Sequence, residues 1–245
     1  MLSRFPKTRP VLPDAYRAIY DEHYRTNREG LSPASSLSQK MEAWMHRCVA
    51  SDVAEGSAGR RTLEIGAGRL NHLVFEPQSD AYDVLEPMKE LCLESPQRGR
   101  VRNVYSAFDQ IGDSQYDRII SIAAFEHYRH LPAIVATCGV LLAANGSLRI
   151  AIPSEGALLW KMGWTLTTGL EFRIRHGLDY GVLMRHEHLN TADEIRMVLQ
   201  MFFAGIRTRF FGIGPALSFY QFFECRNTDR ELCRRYLESA SPLLD

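Results

Sequence analysis

Between residues 61 and 152 the chain switches repeatedly between short apolar runs and segments with helical periodicity. The runs at 61–65, 81–85, 102–105, 116–122 and 147–152 predict five strands. Helical periods fall between several of them, at 87–94 and 132–143, and Asn145-Gly146 predicts a tight turn before the fifth strand. Strand–helix alternation of this kind implies a parallel sheet covered on both faces.

The pattern changes on either side of this region. Residues 14–27 predict a helix with one aromatic face (Tyr16, Ile19, Tyr20, His23, Tyr24), ended by Gly30. A Ser-rich loop at 32–38 leads to a second helix over about 39–53, with Met41, Trp44, Met45, Cys48 and Val49 on its apolar face. Residues 55–59 read as a short linker. After the fifth strand, 153–190 is long, aromatic and partly basic, without a clean period. A helix follows at 191–203, then strands at 206–212 and 218–225 around Gly214-Pro215, an antiparallel pair. The chain thus divides into a helical lead-in (1–55), an α/β domain (60–226) with an insert at 153–190, and a tail (227–245).

Composition narrows the function classes. With 245 residues, 45% hydrophobic and 24% charged, the chain is long enough for one well-buried domain. Lys plus Arg and Asp plus Glu both number 29, so no global field favours a nucleic acid partner. The five cysteines show no C-x-x-C spacing, which argues against a zinc knuckle or a disulfide framework and for reduced thiols in a cytoplasmic protein. Residues 1–13 hold no apolar signal core, and the apolar run at 131–144 is too short to span a bilayer.

The first strand runs into Leu63-Glu64-Ile65-Gly66-Ala67-Gly68. Two glycines let the backbone turn sharply and approach a ligand without Cβ interference. The motif resembles the E/D-x-G-x-G signature of class I S-adenosylmethionine (AdoMet) dependent methyltransferases. The ordered motifs that follow carry the same resemblance. Glu86 ends the second strand where the family's ribose-binding acid stands. Ser106, Ala107 and Phe108 lie where the family contacts adenine, though many relatives carry Asp at the place of Ser106. Ser121 through Glu126-His127 resembles the segment after the fourth strand that lines the methyl-transfer cavity. The lead-in also resembles that of uncharacterised bacterial methyltransferases of sugar and small-molecule pathways.

The resemblance implies a seven-stranded, mostly parallel sheet of order 3-2-1-4-5-7-6 with helices on both faces. It implies AdoMet as cofactor, held by Glu64, Gly66, Ala67, Gly68, Glu86, Ala107, Phe108 and Ser121. The helix at 14–27 is expected to close over the donor as a lid, bringing Tyr20, Tyr24 or Arg28 near it. Two other classes stay open: an NAD-binding Rossmann oxidoreductase, and a non-catalytic AdoMet-binding or interaction module. Against the oxidoreductase, Asn71 replaces the third glycine of G-x-G-x-x-G.

Methyl transfer from a sulfonium needs mainly alignment, and a hydroxyl acceptor also needs a base. The 153–190 insert is expected to roof a small-molecule or sugar acceptor pocket, walled by Trp160, Trp164, Phe172 and Tyr180. Arg173 and Arg175 read as solvated. His127, His186 and His188 are the candidate bases. In an extended stretch His186 and His188 share a face and Glu187 points away. A third metal ligand beside the two histidines is not evident, so no metal is expected.

Overall fold

In a computed structural model, residues 2–17, 19–20, 36–53 and 59–240 are described. Seven strands form one sheet of order β3-β2-β1-β4-β5-β7-β6. They are β1 (Thr62–Ile65), β2 (Tyr82–Leu85), β3 (Asn103–Tyr105), β4 (Tyr116–Ile122), β5 (Leu142–Pro153), β6 (Phe203–Ile213) and β7 (Leu217–Thr228). The first five pair in parallel, and β7 runs antiparallel to both β5 and β6. The expected order and the terminal antiparallel pair are therefore present.

Alternation along the strands builds two cores. Leu63, Ile65, Ile119, Leu148 and Ile150 face one side, against α3 (Leu131–Leu141), α7 (Ala192–Phe202) and α8 (Arg230–Ser239). Val84, Ile120, Ala151 and Phe222 face the other, where α1 (Ser36–Val49) supplies Met45, Cys48 and Val49 and α2 (Lys89–Leu93) supplies Cys92. Burial of each of the Leu, Ile, Val, Met and Phe side chains contributes roughly 1.5–3 kcal/mol. α7 starts at a capping box, with Thr191 and Glu194 bonded reciprocally.

Several boundaries differ from expectation. Asn145-Gly146 lies inside β5, because the β4–β5 register jumps from Tyr116↔Leu142 to Arg118↔Ser147 and accommodates these residues as an irregularity. The supposed tail contributes α8, whose Cys233 is fully buried in the first core. A Cβ at Gly139 would meet the Cys233 sulfur at 2.5 Å, so glycine is what admits α8 against α3. The 153–190 insert is mostly helical: α4 (Leu158–Trp164), a π turn (Thr165–Gly169), α5 (Leu170–His176) and α6 (Tyr180–Glu187). The described cysteines are all free and buried. No described helix is long and apolar enough to cross a membrane.

The second face also holds two buried arginines. Arg118 in β4 and Arg149 in β5 are 0% and 1% exposed. Both donate to the Val49 carbonyl at the C-terminal end of α1, at 2.9 and 2.8 Å, and both pair with Asp52. The orphan carbonyls and negative dipole of a helix end favour cations there. This fixes α1 over the sheet and beside the site.

Candidate active site

At the carboxyl ends of the central strands lies a cavity of about 370 Å³, within the range of small-molecule sites. Glu64, Gly66, Ala67 and Gly68 line one end, and Glu126, His127 and His188 line another. Gly66 and Gly68 have φ of +72° and +50°. At Gly66 a Cβ would meet the Ala124 Cβ at 2.6 Å, so the turn after β4 itself requires glycine there. At Gly68 a Cβ would meet nothing within 4 Å.

Glu64 is buried and accepts a hydrogen bond from the Tyr82 hydroxyl at 2.8 Å. Burial pushes its carboxyl up to about 8, with Glu76 and Glu86 adding to the shift and Tyr82 opposing it. Glu86 accepts from the backbone amides of Gly68 (2.9 Å) and Met88 (3.0 Å), which places it directly behind the glycine turn. Ser121 is fully buried and donates to the Ile65 carbonyl at 2.9 Å. It pins β4 to β1 rather than facing a ligand. Ala107 is exposed and Phe108 packs at the edge of the first core, so neither belongs to the cavity wall.

Among the described residues, the wall over the donor end comes from α1, through Glu42, Met45 and His46, and residues 14–17, 19 and 20 of the expected lid contribute nothing to it. His46 Nδ1 lies 3.0 Å from His72 Nδ1, and His72 Nε2 lies 2.7 Å from Glu76. The helical residues 14–17 and 19–20 instead pack on the insert: Leu12 and Tyr16 join Phe172 and Leu183 in a third apolar cluster. Tyr20 donates to Glu187 and meets the His186 ring edge-on at 5.1 Å. Tyr20 is thus held on the far side of the histidines by the insert's own aromatic cluster. Tyr24 and Arg28 lie outside the described residues.

The histidines separate. His186 sits in α6, half-buried, with Nδ1 2.7 Å from the Pro10 carbonyl. His188 follows the helix end and lines the cavity. The expected shared face fails because helical spacing turns the two rings apart. His127 takes its place as the partner, with its ring centroid 4.9 Å from that of His188. His127 Nδ1 is 2.9 Å from the Glu187 carbonyl and 3.5 Å from its carboxylate, so Glu187 does orient a ring. His188 Nδ1 is hydrogen-bonded to Glu155, which also accepts from the Trp160 indole at 2.6 Å. Burial alone would lower the His188 pKa, but Glu155 and the nearby Glu126 and Glu187 hold it above its ordinary value. Of the four expected aromatic walls only Trp160 lines the cavity, with Tyr220 beside it at 5.6 Å. Trp164 and Phe172 both pack on Tyr180.

Glu126 was absent from the candidates and stands at the centre. It is 1% exposed and its Oε2 has no hydrogen-bond partner. Its adjacency to His127 was the available signal. Glu126, His127 and His188 each offer a side-chain donor atom, and these atoms lie within 4.8 Å of one another. Asn190 joins the two strand-end segments. Its side-chain amide donates to the Phe125 (3.0 Å) and Tyr128 (2.7 Å) carbonyls, while the Leu189 and Asn190 amides donate to the Glu126 carbonyl.

No family model and no curated protein matches the chain. Solved structures do match in fold. An O-methyltransferase family protein from Burkholderia thailandensis is 15% identical, with a TM-score of 0.55 over 91% of this chain and 65% of that one. The CurJ carbon methyltransferase is 18% identical, with a TM-score of 0.58 over 89% of this chain and 62% of that one. This chain therefore spans just under two thirds of the length of both. The 1,6-didemethyltoxoflavin N1-methyltransferase of Burkholderia thailandensis, bound to that molecule and S-adenosylhomocysteine, is 17% identical, with a TM-score of 0.54 over 91% and 93%. The fold is that of the class I AdoMet-dependent methyltransferases.

Proposed function

We propose that this chain is an AdoMet-dependent methyltransferase acting on a small-molecule acceptor, a sugar or a compound of similar size. One observation carries this reading. Glu64 and the glycine turn line the same cavity as the Glu126–His127–His188 group, with Glu86 bonded to the turn from behind. A donor held at Glu64, Gly66–Gly68 and Glu86 would direct its methyl group toward that cluster. The neighbour with the N1-methyl acceptor and S-adenosylhomocysteine bound together supports a two-ligand use of this fold. In this reading Glu86 takes the ribose hydroxyls, Glu64 faces the cationic end of the donor, and α1 excludes water from the sulfonium. His127 and His188 act on the acceptor, and His186 does not. Acceptor and donor need only be aligned for displacement at the methyl carbon.

Titration calorimetry tests the donor assignment. S-adenosylhomocysteine should bind and NAD should not. Glu86→Ala should weaken S-adenosylhomocysteine by about 1.5–3 kcal/mol, tenfold or more, because charge-assisted hydrogen bonds are lost. An unchanged dissociation constant in Glu86→Ala removes the ribose role, and NAD binding would return the oxidoreductase reading.

A further inference from the structure

We propose that Glu126, His127 and His188 form a binding site for one divalent transition-metal ion of the zinc class, on the acceptor side of the cavity. The site rests on the methyltransferase reading only for its role, not for its existence.

Four observations lead to it. The donor set is two imidazoles and one carboxylate, and their ligand atoms lie within 4.8 Å of one another. Two histidines with a glutamate are a common ligand set for zinc and related ions, leaving a coordination position open. Ligand atoms about 2.1 Å from a shared ion stand roughly 3.3 Å apart, so modest side-chain rotation closes the set.

The second observation is the state of the rings. Each histidine has Nδ1 already engaged with an acceptor: the Glu187 carbonyl for His127 and the Glu155 carboxylate for His188. That arrangement places the proton on Nδ1 and leaves the Nε2 lone pair available. Metal-bound imidazoles are oriented in this way by carboxylates and carbonyls behind them.

The third concerns charge. Glu126 lies buried in the cavity wall with Oε2 unpartnered. A buried carboxylate without full compensation is costly, and a cation relieves the cost. Glu155 and Glu187 add two further carboxylates around the same two rings, against which Arg9 reaches only Glu187, at 4.0 Å.

The fourth is rigidity. His127 and His188 belong to distant parts of the chain, yet the Asn190 bonds fasten their segments together through Phe125, Glu126 and Tyr128. The ligands are therefore held before any ion arrives.

Such an ion has a defined use in methyl transfer. An acceptor hydroxyl in its open position becomes more acidic and releases its proton to solvent. The oxygen lone pair then forms the bond to the methyl carbon. The sulfur–methyl bond breaks, and its electron pair stays on sulfur as the neutral thioether. With both Nε2 lone pairs committed to the ion, neither histidine is the base. The acceptor class is thereby a hydroxyl compound.

The test uses the full chain, treated with chelator and dialysed, and zinc or cobalt(II) as the probe. Zinc titration should show one equivalent bound. Glu126→Gln and His188→Ala should each weaken it at least tenfold, and Glu155→Gln should weaken it 10–100-fold as a positioning residue. Glu155→Gln should also shift the cobalt(II) visible bands, which a loss of stability alone would not do. Proton NMR of the cobalt(II) form of the unmodified chain should show two exchangeable imidazole N–H signals, one from each Nδ1, and this holds even where a variant fails to fold. Zinc affinity unchanged in Glu126→Gln, or fewer than two such signals, overturns the site. S-adenosylhomocysteine is titrated on the same samples. If it binds and zinc does not, the metal site falls and the methyltransferase reading stands. If zinc binds at one equivalent and S-adenosylhomocysteine does not, the metal site stands and the donor reading falls.

Discussion

Glu64 sits where β1 gives way to the glycine turn, buried beside the Tyr82 hydroxyl. Its carboxyl, raised to about 8, is mostly protonated at neutral pH before a cation meets it. A cationic ligand end favours the carboxylate, so binding must expel that proton. S-adenosylhomocysteine affinity should therefore climb as pH rises from 6 to 8 and level off above. Calorimetry at pH 7 in two buffers of different ionisation heat should show proton release, and Glu64→Gln should abolish it. Identical heats in both buffers would mean that Glu64 does not meet the cation. The same shift has a stability side. A carboxyl whose folded pKa exceeds its unfolded value of 4.5 costs nothing below that value, and the cost grows as pH rises toward 8.

The N-terminal segment shows how element placement redirects an expectation. Lys7 donates to the Leu189 carbonyl and to Glu194, both at 2.7 Å. Arg9 donates to the carbonyls of His127 (3.1 Å), His186 and Glu187. These residues brace the back of the histidine cluster and leave the donor end alone. Deleting residues 1–12 should leave S-adenosylhomocysteine affinity within about twofold, while amide exchange at 125–130 and 186–190 accelerates and 62–65 stays protected. Loss of donor affinity with unchanged exchange at 186–190 would show that residues 1–12 act on the donor end and not on the histidine cluster. The strands were legible because the central ones are short apolar runs buried on both faces, as in β1 and β2. The insert was not, because its aromatics pack on one another and a π turn at Thr165–Gly169 breaks the helical period. Nor was the cluster at Glu126, His127 and His188. His188 stands some 60 residues beyond the adjacent Glu126 and His127, and long-range bonds from Asn190, Leu189 and Glu187 bring the two segments together. A local pattern could read the donor turn but not this long-range pairing.

On the scale of the whole molecule, the second face of the sheet is organised by charge as much as by apolar packing. Burial would raise the Glu76 pKa, but His72 and Arg118 together hold it down at about 2. Its folded value lies below the unfolded 4.5, so its contribution is complete above 4.5 and disappears as pH falls toward 2. Breaking a buried ion pair costs roughly 3–5 kcal/mol, so Glu76→Gln should lose about that much by urea unfolding at pH 7. The gap to the unmodified chain should narrow between pH 4.5 and 2; a pH-independent gap would show that the effect is packing alone. Charged residues in strand runs read as solvent-facing, which is why Arg118 and Arg149 were illegible in the sequence. Their joint hold on Val49 and Asp52 has a hereditary consequence. Losing any one of the three unbalances the buried charge the other two share, with Glu76 beside Arg118 and Glu224 beside Arg149 compensating only in part, so single drift is selected against. Among descendants of this gene, positions 52, 118 and 149 should be inherited as a block or replaced as a block. That linked triplet would mark kinship even where the glycine turn, common to so many lineages, says little about descent.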